Sequence, residues 1–338
     1  MQITSRCPPI VSIGMPVFNC ASTIAQAISS ILNQSFKEWE LLIIDDGSTD
    51  NTREIALSFD DPRIIVTKGA ENKRLPMRLN ECVCRARGRF FARMDGDDIA
   101  YPQRLQCQLE YLQSHPEVDL VGGWVVVFRN DGTVLGARRG LLTHEQMWAH
   151  PWKGVLMPHS TWVGKIGWFR DNTYRTGTAV EDQDLLFRTC HTSRFATVPE
   201  IVLGYREDRL SLPYLVSQRW HACQHIVPNA IQQGRPTNAA LCIFAEAAKA
   251  LTEAVAICTG LNHRMLRRRA MPIDGDEARE WQSVWQEVRL ATEKNRLDSR
   301  TSRVTQVLPG QAPAIASRRS EAGTDETPGG GGAMGLRR

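Results

Sequence analysis

Apolar residues in the first hundred positions fall into short continuous runs separated by stretches with helical spacing. Residues 10–17 form one such run, and residues 40–45 place four apolar side chains between Glu40 and Asp45. Residues 64–67 and 90–94 repeat the theme. Runs of this length without alternation suit strands covered on both faces. Between the first two, Ile24, Ala27, Ile28, Ile31 and Leu32 share one side of a helix over residues 23–33. The same spacing predicts helices over 52–59 and 76–86. The resulting β-α-β-α-β-α-β order predicts an α/β fold with a mainly parallel, doubly wound sheet. Ligands of such sheets lie beyond the carboxyl ends of the strands. The polar segments 16–19, 45–50 and 95–98 should therefore line one edge together.

Further along, a helix is expected over 102–113 and a strand over 118–128, broken at Gly122-Gly123. Residues 141–212 are rich in Trp, His and Arg and carry fewer regular periods. Residues 213–257 and 276–297 read as helical. From about residue 300 the chain is polar and ends in a glycine-rich stretch, the composition of a disordered tail. At 338 residues the chain has room for one large α/β domain with additions.

No run approaches the ~18 consecutive apolar residues of a membrane-spanning helix. The first residues lack the charged start and apolar middle of a secretory signal. These features place the chain in the cytoplasm, with peripheral contact at the inner face of the membrane left open. A net charge of +4 and a pI near 8.6 are too mild to indicate nucleic acid. Part of that charge is concentrated in Arg264, Arg267, Arg268 and Arg269, which is either a solvated face or a contact with anionic lipid. The nine cysteines lack zinc-ligand spacing and read as free thiols of a reducing compartment.

The chemistry-bearing residues cluster after strands. Asp95, Asp97 and Asp98 follow the fourth strand, and Asp45 and Asp46 follow the second. By itself such an acidic loop is an ordinary solvated turn. The blocks V-S-I-G-M-P-V-F-N, L-L-I-I-D-D-G-S-T-D-N-T, A-R-M-D-G-D-D and V-E-D-Q-D-L-L-F-R, taken in order between residues 10 and 206, resemble glycosyltransferase family 2. That family has the GT-A fold, and Gly96 stands where it usually has alanine. The resemblance implies a nucleotide-sugar-binding half over 8–115, an acceptor-binding half over 116–212, a helical region over 213–299 and a tail over 300–338.

The resemblance implies an inverting transferase that moves a sugar from a nucleotide diphosphate donor, a UDP-sugar in the favoured case, to a hydroxyl of a saccharide, lipid-linked or small-molecule acceptor. Cell-surface polysaccharide or glycoconjugate synthesis is the expected setting. A divalent cation, Mn2+ or Mg2+, would neutralise charge on the leaving diphosphate. Asp97 is its expected ligand, and Asp95 is expected to meet the ribose or the metal. Pro16, Phe18, Asn19 and Asp46 are implied at the nucleotide, with Asp46 accepting from the base and Asp45 holding the loop. Among Lys73, Arg74 and Arg78 the family expects a basic contact to the diphosphate or base, with Arg74 the candidate carried forward; Arg93 belongs to the A-R-M block, two positions before the metal loop.

Asp182 is the expected base, with Glu181 beside it raising its basicity. Asp184 reads as a helix-start carboxylate. His159 and Arg206 are weaker candidates for acceptor or phosphate contact. Trp152, Trp162 and Trp168 are either sugar platforms or core. Ser217-Gln218-Arg219-Trp220 only superficially resembles the Q-x-x-R-W element of processive synthases. The rival from another class is a catalytically silent sugar-nucleotide-binding or scaffold protein, which loss of the carboxylates would mark.

Overall fold

The structure, a computed structural model, describes residues 8–69, 71–149, 157–177, 180–207, 236–259 and 270–306, with scattered helical positions between 216 and 231. The chain divides into a unit of residues 1–299 and a unit of residues 300–338. Within the second, the described residues are the last turns of one helix.

Strands β1 (Val11–Val17), β2 (Trp39–Asp45), β3 (Ile64–Lys68) and β4 (Phe90–Arg93) pair in parallel, in the order β3-β2-β1-β4. Every residue of β1 and β2 is buried, as their unbroken apolar runs require. The crossovers are α1 (Ile24–Leu32), α2 (Thr52–Leu57) and α3 (Arg74–Arg85). The apolar side of α1, Ile24, Ala27, Ile28 and Ile31, joins one core layer with Val11, Ile13 and Met15. Leu79, Cys82 and Val83 of α3 pack on the opposite face with Leu42 and Ile44.

Past β4 the sheet changes character. β8 (Val163–Lys165) pairs antiparallel to β4, and the order continues β8-β6-β9-β5 through β6 (Leu120–Phe128), β9 (Phe195–Arg206) and β5 (Ile99–Ala100). β7 (Val134–Arg138) hangs on β6, and β6 and β9 are parallel. Helices α4 (Arg104–Ser114), α5 (His144–Ala149), α6 (Ile166–Asp171) and α7 (Glu181–Thr189) fill this half. Helices α8 (Pro236–Cys258) and α9 (Gly275–Gln306) follow.

Two expectations change. β6 continues through Gly122-Gly123, but its register against β9 shifts just after them, between Gly123 and Val125; the glycines also serve packing, since a Cβ at Gly122 would lie 2.3 Å from Met157 Cγ and one at Gly123 2.3 Å from Val202 Cγ2. α9 ends at Gln306 instead of Leu297. β5, β7, β8 and β9 were not anticipated: β5 and β8 are too short to carry a period, and exposed Pro199 and Glu200 interrupt the apolar run of β9.

Gly123→Ala should therefore overpack the β6–β9 contact and cost about 1–3 kcal/mol. A urea-denaturation midpoint unchanged from wild type would contradict this reading.

Candidate active site

Three loops meet at the carboxyl ends of the parallel strands. Asn19, after β1, adopts a left-handed backbone with φ 53°, a conformation asparagine tolerates better than most residues. Its Oδ1 accepts from Thr49 N–H at 2.9 Å, and its own N–H donates to Ser48 Oγ at 2.9 Å. Cys20 N–H donates to Thr52 Oγ1 and Ala21 N–H to Asp50 Oδ2. These bonds zip the loop after β1 to the loop after β2. Pro16 stays buried at the end of β1, while Phe18 is 47% exposed and presents an apolar ring at the edge.

Asp45 and Asp46 are both buried. Asp45 Oδ1 accepts from Ser48 N–H at 3.0 Å. Asp46 Oδ1 accepts from Arg78 Nε at 2.6 Å and Lys73 N–H at 2.8 Å, and Oδ2 accepts from Arg74 N–H at 2.9 Å. Arg78 is committed to structure, since it also donates to Glu81 and to the Glu71 carbonyl. Arg74 differs: its backbone is left-handed, at φ 65°, and its exposed side chain has no partner among the described residues. Lys73 is exposed and pairs with Glu71 at 3.5 Å.

The loop after β4 carries the acidic run. One carboxylate oxygen from each of Asp95, Asp97 and Asp98 lies within 4.8 Å of the others. Arg93, almost fully buried, grips Asp95 in a two-pronged fork at 2.7 and 2.8 Å, the strongest geometry available to this pair. Asp98 is buried and accepts from Arg206 N–H at 2.9 Å. Among the described residues the Asp97 carboxylate is met only by its own backbone amide and by the nearby charges of Arg206 and Arg93, with no side-chain hydrogen bond. Burial and the neighbouring Asp95 charge raise its pKa to about 6, and burial together with Asp97 and Asp95 drives Asp98 well above the carboxylate range. Crowded carboxylates with hard oxygen donors suit Mg2+ or Mn2+, so the residues present fit such an ion. Asp97 has the carboxylate least committed to protein.

Gly96 supplies space at this loop. It is not among the left-handed residues, yet a Cβ there would sit 2.8 Å from Val17 Cγ1. Its carbonyl accepts from Thr23 Oγ1 at 2.9 Å, which ties the acidic loop to the start of α1.

Arg206, at the end of β9, holds the same loop from the other side. Its Nε donates to the Asp97 carbonyl at 2.6 Å, and its other nitrogens reach Asn130 and Gln26. Arg104 is fully buried and donates to the Arg93 carbonyl at 2.6 Å and the Ser160 carbonyl at 2.8 Å. Burial lowers its pKa to about 10, well above neutrality, so it remains charged. The sequence reading missed Arg104. Its signal was a polar pair, Arg104 and Gln108, at i and i+4 beside the apolar stripe Leu105, Leu109 and Leu112.

The second cluster comes from the irregular half. His159 opens a 3-10 turn, His159–Thr161. Its Nε2 is 2.9 Å from Tyr174 Oη, its Nδ1 is 3.6 Å from Glu181, and its ring lies against buried Trp162. Asn80 of α3 holds Tyr174 through two backbone bonds. Burial, reinforced by Arg93, drops the His159 pKa to about 3, so the ring is neutral. His159 and Tyr174 both feel Asp95 and Asp182, so the two clusters share one electrostatic neighbourhood.

Glu181, Asp182 and Asp184 occupy the first turn of α7, where acids favour the helix dipole. Asp182 Oδ1 accepts from Gln183 N–H at 2.8 Å. Asp184 is buried against Arg188 at 2.8 Å. Trp162 and Trp168 are core residues with bonded indoles. Arg219 pairs with Glu246 and Glu253 of α8. Trp152 lies outside the described residues, as do Arg264, Arg267, Arg268 and Arg269.

The model of the family described as glycosyl transferase family 2 matches residues 12–179. The chain is 33% identical over 237 residues to the putative glycosyltransferase EpsE of Bacillus subtilis, covering 64% of this chain and 83% of that protein. It is 35% identical over 127 residues to an Escherichia coli protein named UDP-Glc:alpha-D-GlcNAc-diphosphoundecaprenol beta-1,3-glucosyltransferase WfgD. There it covers 38% of this chain and spans 49% of the relative. The fold is similar to S. aureus TarS 1-349 in complex with UDP-GlcNAc, with TM-score 0.51, 14% identity, and 83% and 81% of the two chains covered.

Neutral buried His159 makes a prediction about stability. Its folded pKa lies below the ordinary value of 6.5, so below that pH the unfolded chain binds the extra proton. The full stabilisation is present above pH 6.5 and is lost as the pH falls toward about 3. The slope reaches up to about 1.4 kcal/mol per pH unit. Urea midpoints for wild type should therefore drop between pH 7 and 5, and His159→Gln should flatten that drop. Equal slopes for the two proteins would refute the assignment.

Proposed function

Because the chain belongs to glycosyl transferase family 2 and has the GT-A fold, we propose that it transfers a sugar from a nucleotide diphosphate donor to an acceptor hydroxyl with inversion. The observation that carries this reading is the Asp97 carboxylate, which has no side-chain hydrogen-bond partner among the described residues and lies beside Asp95 and Asp98 at the edge where the donor loops converge.

The nucleotide is assigned to the zipped loops. Phe18 supplies an exposed ring, and Asp46 reads the base. A carboxylate has about four lone-pair sites; Arg78, Lys73 and Arg74 occupy three of them. One remains for a single ring N–H donor, such as uracil offers, and this supports a UDP-sugar. The E. coli relative's name specifies a UDP-glucose donor, in the same direction. Arg74, exposed and unengaged, is assigned to the diphosphate.

A bound Mn2+ or Mg2+ would neutralise the charge that grows on the leaving diphosphate. Asp97 would hold it, with Asp95 assisting or meeting the ribose. Asp182 takes the acceptor proton as the hydroxyl oxygen attacks the anomeric carbon. Its Oδ1 is steadied by the Gln183 amide, which leaves Oδ2 for that proton. Glu181 and His159 shape the pocket beneath it, while Arg206 acts by positioning the acidic loop. The acceptor is a saccharide, lipid-linked or small-molecule hydroxyl in cell-surface polysaccharide synthesis. Relatives named for a diphosphoundecaprenol acceptor and for teichuronic acid biosynthesis support that setting. The arginines at 264 and 267–269 would bring the enzyme to a membrane-held acceptor.

Turnover of a UDP-sugar panel with added manganese tests the reading. Asp97→Asn should lower metal-dependent turnover by about two orders of magnitude, the rate equivalent of several kcal/mol of charge stabilisation. Asp182→Asn should lower kcat by about 10²–10⁴ while nucleotide affinity stays within about twofold, since Asp182 touches no donor group in this assignment. A wild-type chain that binds donor and metal but consumes no donor would be a silent binding protein. Full metal-dependent turnover by Asp97→Asn would remove the site assignment.

A further inference from the structure

Helix α8 has its polarity reversed. Its charged residues, Glu246, Lys249 and Glu253, all lie on one side, where both glutamates are buried and pair with Arg219 at 3.1 and 2.6 Å. Lys249 joins them through Glu246 at 2.6 Å. The opposite side exposes Leu241, Phe244, Ala248, Leu251, Val255 and Cys258. Phe244 is 74% exposed and Leu251 68%. At 100° per residue these six positions form one stripe, and no charged residue interrupts it. The stripe runs from Leu241 to the helix end at Cys258, a length of roughly 26 Å. A stripe of that length is far longer than the isolated apolar side chains normal on a protein surface.

We propose that this face of α8 docks on an anionic lipid bilayer, lying in the plane of the headgroups with Phe244 and Leu251 in the acyl boundary. No helix among the described residues is long and apolar enough to cross a membrane, so the contact is a surface one. Charge chooses the occupant. The chain carries Arg264, Arg267, Arg268 and Arg269 within eleven residues of the end of α8 at Cys258. An apolar helix face followed by clustered arginines matches the two terms of peripheral binding, apolar burial and attraction to anionic headgroups. A second copy of the chain would cover the stripe without calling on the arginines that follow it in the sequence. The proposal goes beyond the transferase reading. Vesicle binding needs neither donor nor metal, so each can fail without the other.

The test is sedimentation of the full chain with phosphatidylglycerol–phosphatidylcholine vesicles and with pure phosphatidylcholine vesicles. Wild type should bind the anionic vesicles and not the neutral ones. F244E/L251E should weaken that binding by about tenfold or more, and R267E/R268E should weaken it by a similar factor and remove most of its salt dependence. Hydrogen exchange on unmodified protein gives a readout independent of any variant's folding: anionic vesicles should slow exchange across residues 241–258. The proposal is overturned if wild type ignores anionic vesicles or if exchange in α8 does not change. It is also overturned if light scattering shows a wild-type dimer that F244E/L251E converts to monomer without loss of vesicle binding.

Discussion

Three carboxylates crowded beyond one strand repel each other, and much of the surrounding structure answers that repulsion. Arg93 grips Asp95 from within the sheet, the Arg206 amide holds Asp98, and the Arg206 guanidinium holds the backbone of Asp97. Arg104 secures the strand that carries them. The arginines come from β4, β9 and the start of α4, so both halves of the sheet converge on this loop. Two of the three acids are thereby assigned protein partners. Asp97 keeps a raised pKa and no side-chain hydrogen-bond partner among the described residues, which is why the proposed function gives it the cation.

The parallel half was legible because its signals are local. Uninterrupted apolar runs identified β1 to β4, and helical spacing identified α1 to α3. The loop positions of Asp46 and Asp95 to Asp98 followed from strand ends alone. What joins β4 to β8 and β6 to β9 is not local. β8 has three residues and β5 has two, too few to show a period, and their places are fixed by pairing with distant chain. The close approach of Met157 and Val202 to Gly122 and Gly123 was invisible for the same reason: a glycine pair in sequence looks like a break, and here it both precedes a register shift and admits neighbouring side chains.

The site residues divide along the same line. Motif resemblance brought out Asp95, Asp97, Asp46 and Asp182. It did not distinguish carboxylates already saturated by the protein from those still open. Asp46 turned out to hold two amides and an arginine, and Arg78 turned out to be structural, whereas Arg74 beside it is exposed. Arg206 resembles a phosphate contact, and in the fold its guanidinium also straps the acidic loop. Partner counting of this kind needs the third dimension, because each donor arrives from a different element.

The reversed polarity of α8 follows a different logic from the carboxylates of the candidate site. Burying Arg219 with Glu246 and Glu253 requires stripping water from three charges, and such clusters seldom out-stabilise apolar packing of the same volume. A helix with Leu241, Phe244, Leu251 and Val255 available could have turned that face to the core and left its glutamates in water. In the fold it does the opposite, so the isolated chain pays twice, once for dehydrating charge and once for hydrating apolar surface. The second cost falls if the outward stripe leaves water on a surface of its own kind, while the inward ion cluster keeps α8 oriented for that contact. The proposed donor site is completed by charges held against their own repulsion; the α8 face, in the proposed docking, is completed by a bilayer.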